Sequence, residues 1–363
     1  MTRPTVGEAE LEAVRRVFAS GQLVQGREVA GLEAEVEALL GGRVRAVAVS
    51  SGGAALFLAL RAAGVGPLDE VIVPAYTFPA AAQAAVLLGA RPVPADVDPE
   101  TLAPGVKEVS ARLGERTRAV VVAHAFGVPA PVEGVSAWCR AEGVAFVEDA
   151  ACALGGLLEG GQPAGTVGDF GCFSLHGRKL ATCGEGGLVV CARPSDWERL
   201  RAFRDYGRTG RGFGDVFSEV GLNFRLSEVA AAIGRVQVGR LSAHLCELRA
   251  VARMYLEALV GVGGVEVPGG ARSLEATYQT FVVLVDDGAR VAARLREAGV
   301  EASPGAHALT EQSFYVRRFG AGPDCPVARS LARRLVALPM YEGMGEEEVG
   351  RVVGALKEAV SRG

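Results

Sequence analysis

The chain has 363 residues, 49% of them hydrophobic and 22% charged, and carries a net charge of −4. This length implies roughly two domains of about 150 residues and a core that needs no disulfide or metal staple. The composition excludes a disordered chain, and 38 basic against 42 acidic residues leave no basic field for nucleic acid.

The N-terminus, MTRPTVGEAELEAV, is charged almost at once and has no signal-peptide core. Residues 8–19 and 27–40 then place apolar side chains at helical spacing (Leu11, Val14, Val17 and Phe18; Leu32, Val36 and Leu39). The apolar run 46–49 reads as a strand. Ser50-Ser51-Gly52-Gly53 follows, then an Ala- and Leu-rich helix over 54–63 that Gly64 closes. The unit recurs as strand 70–74, helix 79–88 and strand 92–96, and again as strand 118–123, helix 132–142 and strand 144–148. Residues 71–90 carry no charge and are long enough to cross a bilayer. Pro74 and Pro79 break that run into a strand, a turn and a buried helix, so no membrane partner is expected.

Strands 170–174 and 187–191 come next, followed by a helix from about 195. Continuous β-branched runs separated by helices indicate an α/β fold: buried parallel strands with helices on both faces. One long helical stretch runs from Ser227 to about Leu259. Strand 279–285, helix 289–298 and helix 345–360 describe a smaller C-terminal α/β domain. The expected division is residues 1–240 and 241–363, with the boundary inside the long helix.

Seven scattered cysteines with no CxxC pair indicate free thiols in a reducing compartment, hence the cytoplasm. The four histidines lack any HxxxH or HExxH spacing, so no metal site is expected.

Open parallel sheets bind ligands beyond the carboxyl ends of their strands. Ser50–Ala54, Ala75–Phe78, His124, Glu148-Asp149 and the segment from Ser174 to Lys179 occupy those positions. Ser51-Gly52-Gly53-Ala54 turns from a strand into a helix whose N–H groups suit a phosphate, although a plain strand–helix turn has the same composition. Asp149 ends an apolar strand. Its partner is either a helix start or arginine within the protein, or a cationic ligand atom or metal. Lys179 lies in a glycine-crowded loop between two apolar strands, where it serves a salt bridge or forms a Schiff base. His124 is either a satisfied core histidine or a base. Phe78 either joins the core or stacks on a flat ring. Arg201, Arg204, Arg208 and Arg211 form a basic cluster, as a solvated helix end or as an anion clamp.

Taken in order, these segments resemble the DegT/StrS-type sugar aminotransferases, a family of fold-type-I pyridoxal-phosphate (PLP) enzymes. The carriers are the stretch from Ser20 to Gly26, Ser51-Gly52-Gly53-Ala54-Ala55-Leu56, Asp69-Glu70-Val71-Ile72-Val73-Pro74 and Tyr76-Thr77-Phe78. They continue with Gly89 to Val93, Glu148-Asp149-Ala150-Ala151, Gly168-Asp169, Phe173-Ser174, Lys179, Gly184-Glu185-Gly186-Gly187 and Gly221-Leu222-Asn223-Phe224-Arg225-Leu226. The resemblance spans nearly the whole chain. It implies that Lys179 bonds the cofactor and shuttles the proton, and that Asp149 keeps the pyridine nitrogen protonated. It also implies that Phe78 stacks on the ring, and that Gly53, Ala54 and Ser174 cradle the phosphate. Asn223 would reach the phosphate of a neighbouring subunit, which implies a homodimer.

The sequence departs from the family pattern at several places. Gly53 stands where the family usually has Thr, and Cys152 where Gln or His contacts the ring oxygen. Leu175 and Gly177 vary the lysine loop. Tyr206 replaces a common His, and Thr310 fills a usual His slot ahead of Gln312 and Tyr315. The implied activity moves an amino group from an amino acid, L-glutamate by preference, to a keto group on a nucleotide-linked sugar or a related cyclitol. The Gly184-Glu185-Gly186-Gly187 loop slightly favours 4-keto sugars or cyclitols over 3-keto sugars. Three rivals stand beside this: a non-catalytic sensor on the same fold, a PLP-dependent sugar dehydratase, and an ordinary nucleotide-binding α/β protein. The related dehydratases have His in place of the lysine, and GxGxxG and Walker A motifs are absent here.

Overall fold

The computed structural model describes residues 5–210, 216–269, 273 and 275–361. Its strands are β1 (Arg45–Val49), β2 (Glu70–Pro74), β3 (Tyr76–Thr77), β4 (Arg91–Ala95), β5 (Thr117–Ala123), β6 (Ala145–Asp149), β7 (Phe170–Ser174), β8 (Gly187–Cys191), β9 (Phe281–Leu284), β10 (Ser303–Pro304), β11 (His307–Ala308) and β12 (Leu335–Leu338). Its helices are α1 (Glu8–Ser20), α2 (Arg27–Leu39), α3 (Gly52–Ala62), α4 (Ala80–Leu87), α5 (Val106–Ser110), α6 (Val132–Glu142), α7 (Pro194–Arg204), α8 (Glu228–Gly239), α9 (Leu241–Ala258), α10 (Gly288–Glu297), α11 (Ser313–Phe319), α12 (Pro326–Arg334) and α13 (Glu346–Ser361).

Seven strands form the main sheet in the order β1-β8-β7-β6-β5-β2-β4. Alternate residues feed two cores, which is why the strands read as continuous apolar runs. Ala46, Ala48, Val120, Val122, Phe146 and Leu188 pack on the face covered by α2, α6 and α8. Val47, Val49, Val71, Val121, Val147 and Val189 pack on the face covered by α3, α4 and α7. The sheet is mostly parallel, as expected; the exception is β8, which runs antiparallel to both β7 and β1. Only 12 residues separate β7 from β8, too few for a helical crossover but enough for a hairpin-like return.

The helix expected to run unbroken from 227 to 259 is two helices. Arg240 leaves helical geometry (φ −109°, ψ 3°), ending α8 and preceding α9. The first half of α9 gives Leu241 and Leu245 to the main core, and the second half gives Leu248, Val251 and Tyr255 to a separate cluster. That cluster surrounds a three-stranded antiparallel sheet, β10-β12-β9. Its middle strand, β12, starts immediately after the arginine-rich α12, with no turn residue to announce it. Among the described residues no helix is long and apolar enough to cross a membrane.

The N-terminal helices are bound to α8 by polar contacts as well as apolar ones. The N-cap of α2 is Gly26, which has no side chain to satisfy the helix's first N–H groups. Glu228, 1% exposed, does so from α8: its carboxylate accepts from the N–H of Gly26 (2.8 Å), Glu28 (2.8 Å) and Val29 (3.0 Å). Further along, Gln237 donates to Glu10 of α1 (2.8 Å) and to the Thr5 carbonyl (2.9 Å). Burial pushes the Glu10 carboxyl pKa up, but the Gly7 N–H, the Gln237 amide and the Arg240 guanidinium outweigh it, and the net shift is downward.

Two outcomes follow from these contacts. Glu228→Ala strands three donors and lowers unfolding free energy by at least about 2 kcal/mol in urea denaturation, with activity per folded molecule retained. A lowered carboxyl pKa adds stability above the ordinary glutamate range and loses it as pH falls through the folded value. The melting-temperature gap between wild type and Glu10→Gln is therefore open at neutral pH and closes on acidification.

Candidate active site

One carboxylate near the carboxyl end of β6 ties together the residue that follows β5 and the segment that leads into β7. Glu148 is fully buried and accepts from the N–H of Gly165 (2.9 Å), Val167 (2.6 Å) and Gly168 (2.7 Å). His124 Nδ1 accepts from the Ala130 N–H (3.0 Å), so its Nε2–H points at Glu148 Oε2, 2.9 Å away. Both nitrogens of His124 are thus used inside the protein, which decides for a satisfied core histidine and against a base.

Asp149, the next residue, turns to the other side of the strand. It is buried, and its Oδ1 accepts from the Ala151 N–H (3.1 Å). Burial raises its carboxyl pKa; the Ala151 N–H, Lys179 and His124 counter this only in part.

Lys179 lies in the loop between β7 and β8, and its Nζ is 3.0 Å from Cys152 Sγ. Burial pulls the Lys179 pKa down, but the Cys152 sulfur and the Asp149 carboxylate push it up further. The net direction is upward, opposite to what a free amine acting as a base requires. Two residues that the sequence does not single out support this loop. Gln279 Nε2 donates to the Arg178 carbonyl (2.6 Å) while its Oε1 accepts from the Leu180 N–H (3.2 Å). Thr277 Oγ1 donates to the Cys152 carbonyl (2.6 Å). Both are buried. The one available signal was a pair of polar residues, Thr277 and Gln279, leading into an apolar strand, because buried polar groups need partners.

Helix α3 starts beside the same edge. Ser51 caps it, its Oγ accepting from the Ala54 N–H at 3.1 Å. Gly52 faces Ser174: a Cβ there would lie 2.9 Å from the Ser174 Cβ and 3.3 Å from its Oγ. Gly53 is open, with only Ser51 Oγ at 3.8 Å from where a Cβ would stand. Gly187, on β8 between Val49 and Ser174, has no such room, because a Cβ there collides with the Ser51 carbonyl.

Phe78 is 71% exposed, just beyond β3. Asn223 is exposed; it bridges to Asp205, and its Oδ1 accepts from the Arg225 N–H at 3.2 Å. The arginine cluster does not converge on a common point. Arg204 is buried, bonded to Glu33 (2.6 Å) and the Ala48 carbonyl (3.0 Å), and holds β1. Arg201 lies over the Trp197 ring, and Arg208 pairs with Asp205 at 3.6 Å. Arg211 falls outside the described residues. Thr310 sits in a 3-10 turn, half-buried, next to Gly322. No group of three or more potential metal ligands occurs among the described residues.

A sheet of this topology with a lysine in the loop between β7 and β8, a carboxylate ending β6 and a glycine-fronted helix after β1 defines a fold-type-I transferase. The sequence profile of the DegT/DnrJ/EryC1/StrS aminotransferase family matches residues 4–357, and the chain belongs to that family. It is an aminotransferase, and the family's aminotransferases are PLP enzymes. A UDP-N-acetyl-3-dehydro-alpha-D-glucosamine 3-aminotransferase of Acidithiobacillus ferrooxidans is 33% identical over 356 residues, 96% of this chain and 93% of its own. A dTDP-4-dehydro-2,3,6-trideoxy-D-glucose 4-aminotransferase of Saccharopolyspora spinosa is 31% identical over 375 residues, 99% of this chain and 96% of its own. Among solved structures, the aminotransferase TlmJ of Streptoalloteichus hindustanus superposes with a TM-score of 0.92 at 35% identity, covering 99% of this chain and 98% of its own.

Gly53 at the start of α3 and Gly187 on β8 are not equivalent. Gly53→Ala is expected to leave the melting temperature unchanged or slightly raised, since alanine favours the helix and meets open space. Gly187→Ala forces Ser51 away from β8 and is expected to lower it by several degrees, or about 2 kcal/mol, in parallel thermal melts.

Proposed function

We propose that the chain holds PLP on Lys179 and moves an amino group from an amino acid, L-glutamate by preference, to a ketone on a nucleotide-linked sugar. The observation that carries this is the placing of the Lys179 amine, the buried Asp149 carboxylate and the start of α3 around one edge of the main sheet. The residues present fit the cofactor. The raised pKa of Asp149 marks a buried carboxylate short of cationic partners, and a protonated pyridine nitrogen supplies one. Gly53 leaves open space at a helix start flanked by the Ser174 hydroxyl, which Gly52 lets approach closely, as a phosphate requires.

When bound, PLP supplies the electron sink that makes the donor's Cα proton acidic. Asp149 would hold the ring nitrogen protonated. Gly53, Ala54 and Ser174 would take the phosphate, although the Ala54 N–H is here also engaged by Ser51. Phe78 would cover the ring face, and Cys152 would meet the ring oxygen as a weaker donor than an amide or imidazole. Lys179 Nζ would take and carry the donor's Cα proton. Cys152 and Asp149 hold the resting Lys179 amine protonated, so the amine would act as a base only when its pairing with them is weakened.

The two curated relatives are named for a 3-keto and a 4-keto sugar nucleotide, which supports the acceptor class and leaves both positions to be assayed. We take residues 1–240 as the cofactor-binding body and 241–363 as the small domain. The helix break at Arg240 and the separate core around β9 and β12 support that division. The active unit is taken to be a homodimer with shared sites. Supporting this, Phe18, Leu23 and Val24, with Val216, Phe217, Val220 and Leu222 leading up to Asn223, are large apolar side chains left exposed. A cytoplasmic setting is supported by seven free thiols, of which burial pushes Cys139, Cys183 and Cys191 up to about 12.

The decisive experiment is the visible spectrum of the PLP-loaded protein before and after L-glutamate. The expected result is a yellow band bleached by glutamate in wild type and absent in Lys179→Ala. A band insensitive to glutamate overturns the donor, and a band unchanged in Lys179→Ala overturns the role of the lysine. Mixing Lys179→Ala subunits with Asn223→Ala subunits tests the shared site: an isologous dimer restores about a quarter of wild-type activity. Failure of the mixture to exceed its two components places Asn223 within its own subunit's site.

A further inference from the structure

The lysine loop between β7 and β8 has no secondary structure of its own around Lys179, and it contains Gly177, Gly184 and Gly186. Within it, Lys179 N–H closes a turn onto the His176 carbonyl at 2.8 Å. Such a loop does not by itself fix a side chain to the tolerance that proton transfer needs. What fixes it comes from about 100 residues away in sequence. The Gln279 amide grips the peptide groups on both sides of Lys179, and only one orientation of the amide does so, Nε2 toward the Arg178 carbonyl and Oε1 toward the Leu180 N–H. Two residues earlier, the Thr277 hydroxyl holds the Cys152 carbonyl at 2.6 Å, and Cys152 Sγ in turn meets Lys179 Nζ. Gly127, at φ 84°, completes the second grip. Its carbonyl accepts from the Thr277 N–H at 3.1 Å, and a Cβ there would collide with the Thr277 hydroxyl and stand 2.8 Å from the Cys152 carbonyl.

From this we infer that Thr277 and Gln279 are positioning residues for Lys179: one segment sets the lysine's backbone through Gln279 and its amine through Thr277 and Cys152. The segment leads directly into β9 of the small sheet. The small domain therefore contributes to the chemistry of a lysine carried by the large one, and its seating sets where Nζ lies. The inference rests on Lys179 being the reactive amine.

The test uses two readouts. In the apoenzyme, the rate at which Lys179 is modified by a small aldehyde with borohydride is followed against pH by peptide mass spectrometry. In the PLP-loaded enzyme, kcat and KM are measured for the glutamate half-reaction. Thr277→Val and Gln279→Ala are expected to move the midpoint of the Lys179 pH profile by about half a unit or more, and to lower kcat about 10-fold or more with KM little changed. For Thr277→Val the midpoint moves down, because loosening Cys152 removes an upward influence on the amine. Thr277→Ser, which keeps the hydroxyl, is expected to restore both readouts. Should Gln279→Ala not fold, Gln279→Glu keeps the length and removes the donor to Arg178. Wild-type pH profiles and kcat in variants whose melting temperatures fall would overturn the inference, leaving the segment a purely structural tie. Failure of wild type to hold PLP on Lys179 would instead overturn the proposed function, because the apoenzyme profile reads positioning independently of the cofactor.

Discussion

The buried carboxylate of Glu148 is the constraint on which the site depends. A charge with no water around it is tolerable only when its acceptor positions are filled, and here three backbone N–H groups and one imidazole N–H fill them. Those donors come from the connection into β7 and from His124, the residue after β5. Glu148 therefore joins β6 to the segment entering β7 and the one leaving β5. Because Asp149 follows it directly, the same bonds fix where the second carboxylate stands. Two adjacent acids thus divide the work: Glu148 is spent inside the protein, while Asp149 is short of donors and faces Lys179.

The main-sheet strands and their covering helices were legible because each is an apolar run of four to seven residues bounded by glycine, proline or polar turns. The reversal of β8 was not legible, since a strand buried on both faces has the same composition in either direction. The break at Arg240 had only Gly239 to signal it, because arginine is a good helix former and its bonds to Glu10 and the Thr5 carbonyl are tertiary. The small sheet was read from β9 alone, as β10 and β11 are two residues each and β12 abuts a helix. Lys179, Asp149 and the turn at Gly52-Gly53 stood out by position at strand ends. Thr277 and Gln279 did not, because their role is defined by partners about 100 residues or more distant, which no local pattern encodes.

Helix α8 carries the other long-range ties. Glu228 at its start caps α2, Arg235 in its middle pairs with Glu28 and Glu35 (both 2.7 Å), and Gln237 near its end reaches α1. The Gln237 carbonyl oxygen also lies 3.5 Å from the Thr182 N–H in the lysine loop. The N-terminal helices are in this way connected to the loop that holds Lys179. Glu228 and Arg235, seven residues apart, lie on one face of α8 and fix the register of α2 against it, while Gln237 lies on the opposite face and serves α1 and the lysine loop.

The direction of β8 also bears on the order in which the sheet is made. β1 is the first strand to leave the ribosome, but its sheet neighbour is β8, whose first residue, Gly187, pairs with Val49 about 140 residues later. Until then β1 is an edge with open hydrogen-bonding groups, and the cores on both of its faces stay incomplete. β7 and β8, by contrast, pair across a short loop and can form as a local unit, with the lysine already in the bend between them. Synthesis therefore ends the sheet where it began. The segment that closes over β1 follows directly on the loop that carries Lys179, so one stretch of chain supplies both the closing strand and the lysine.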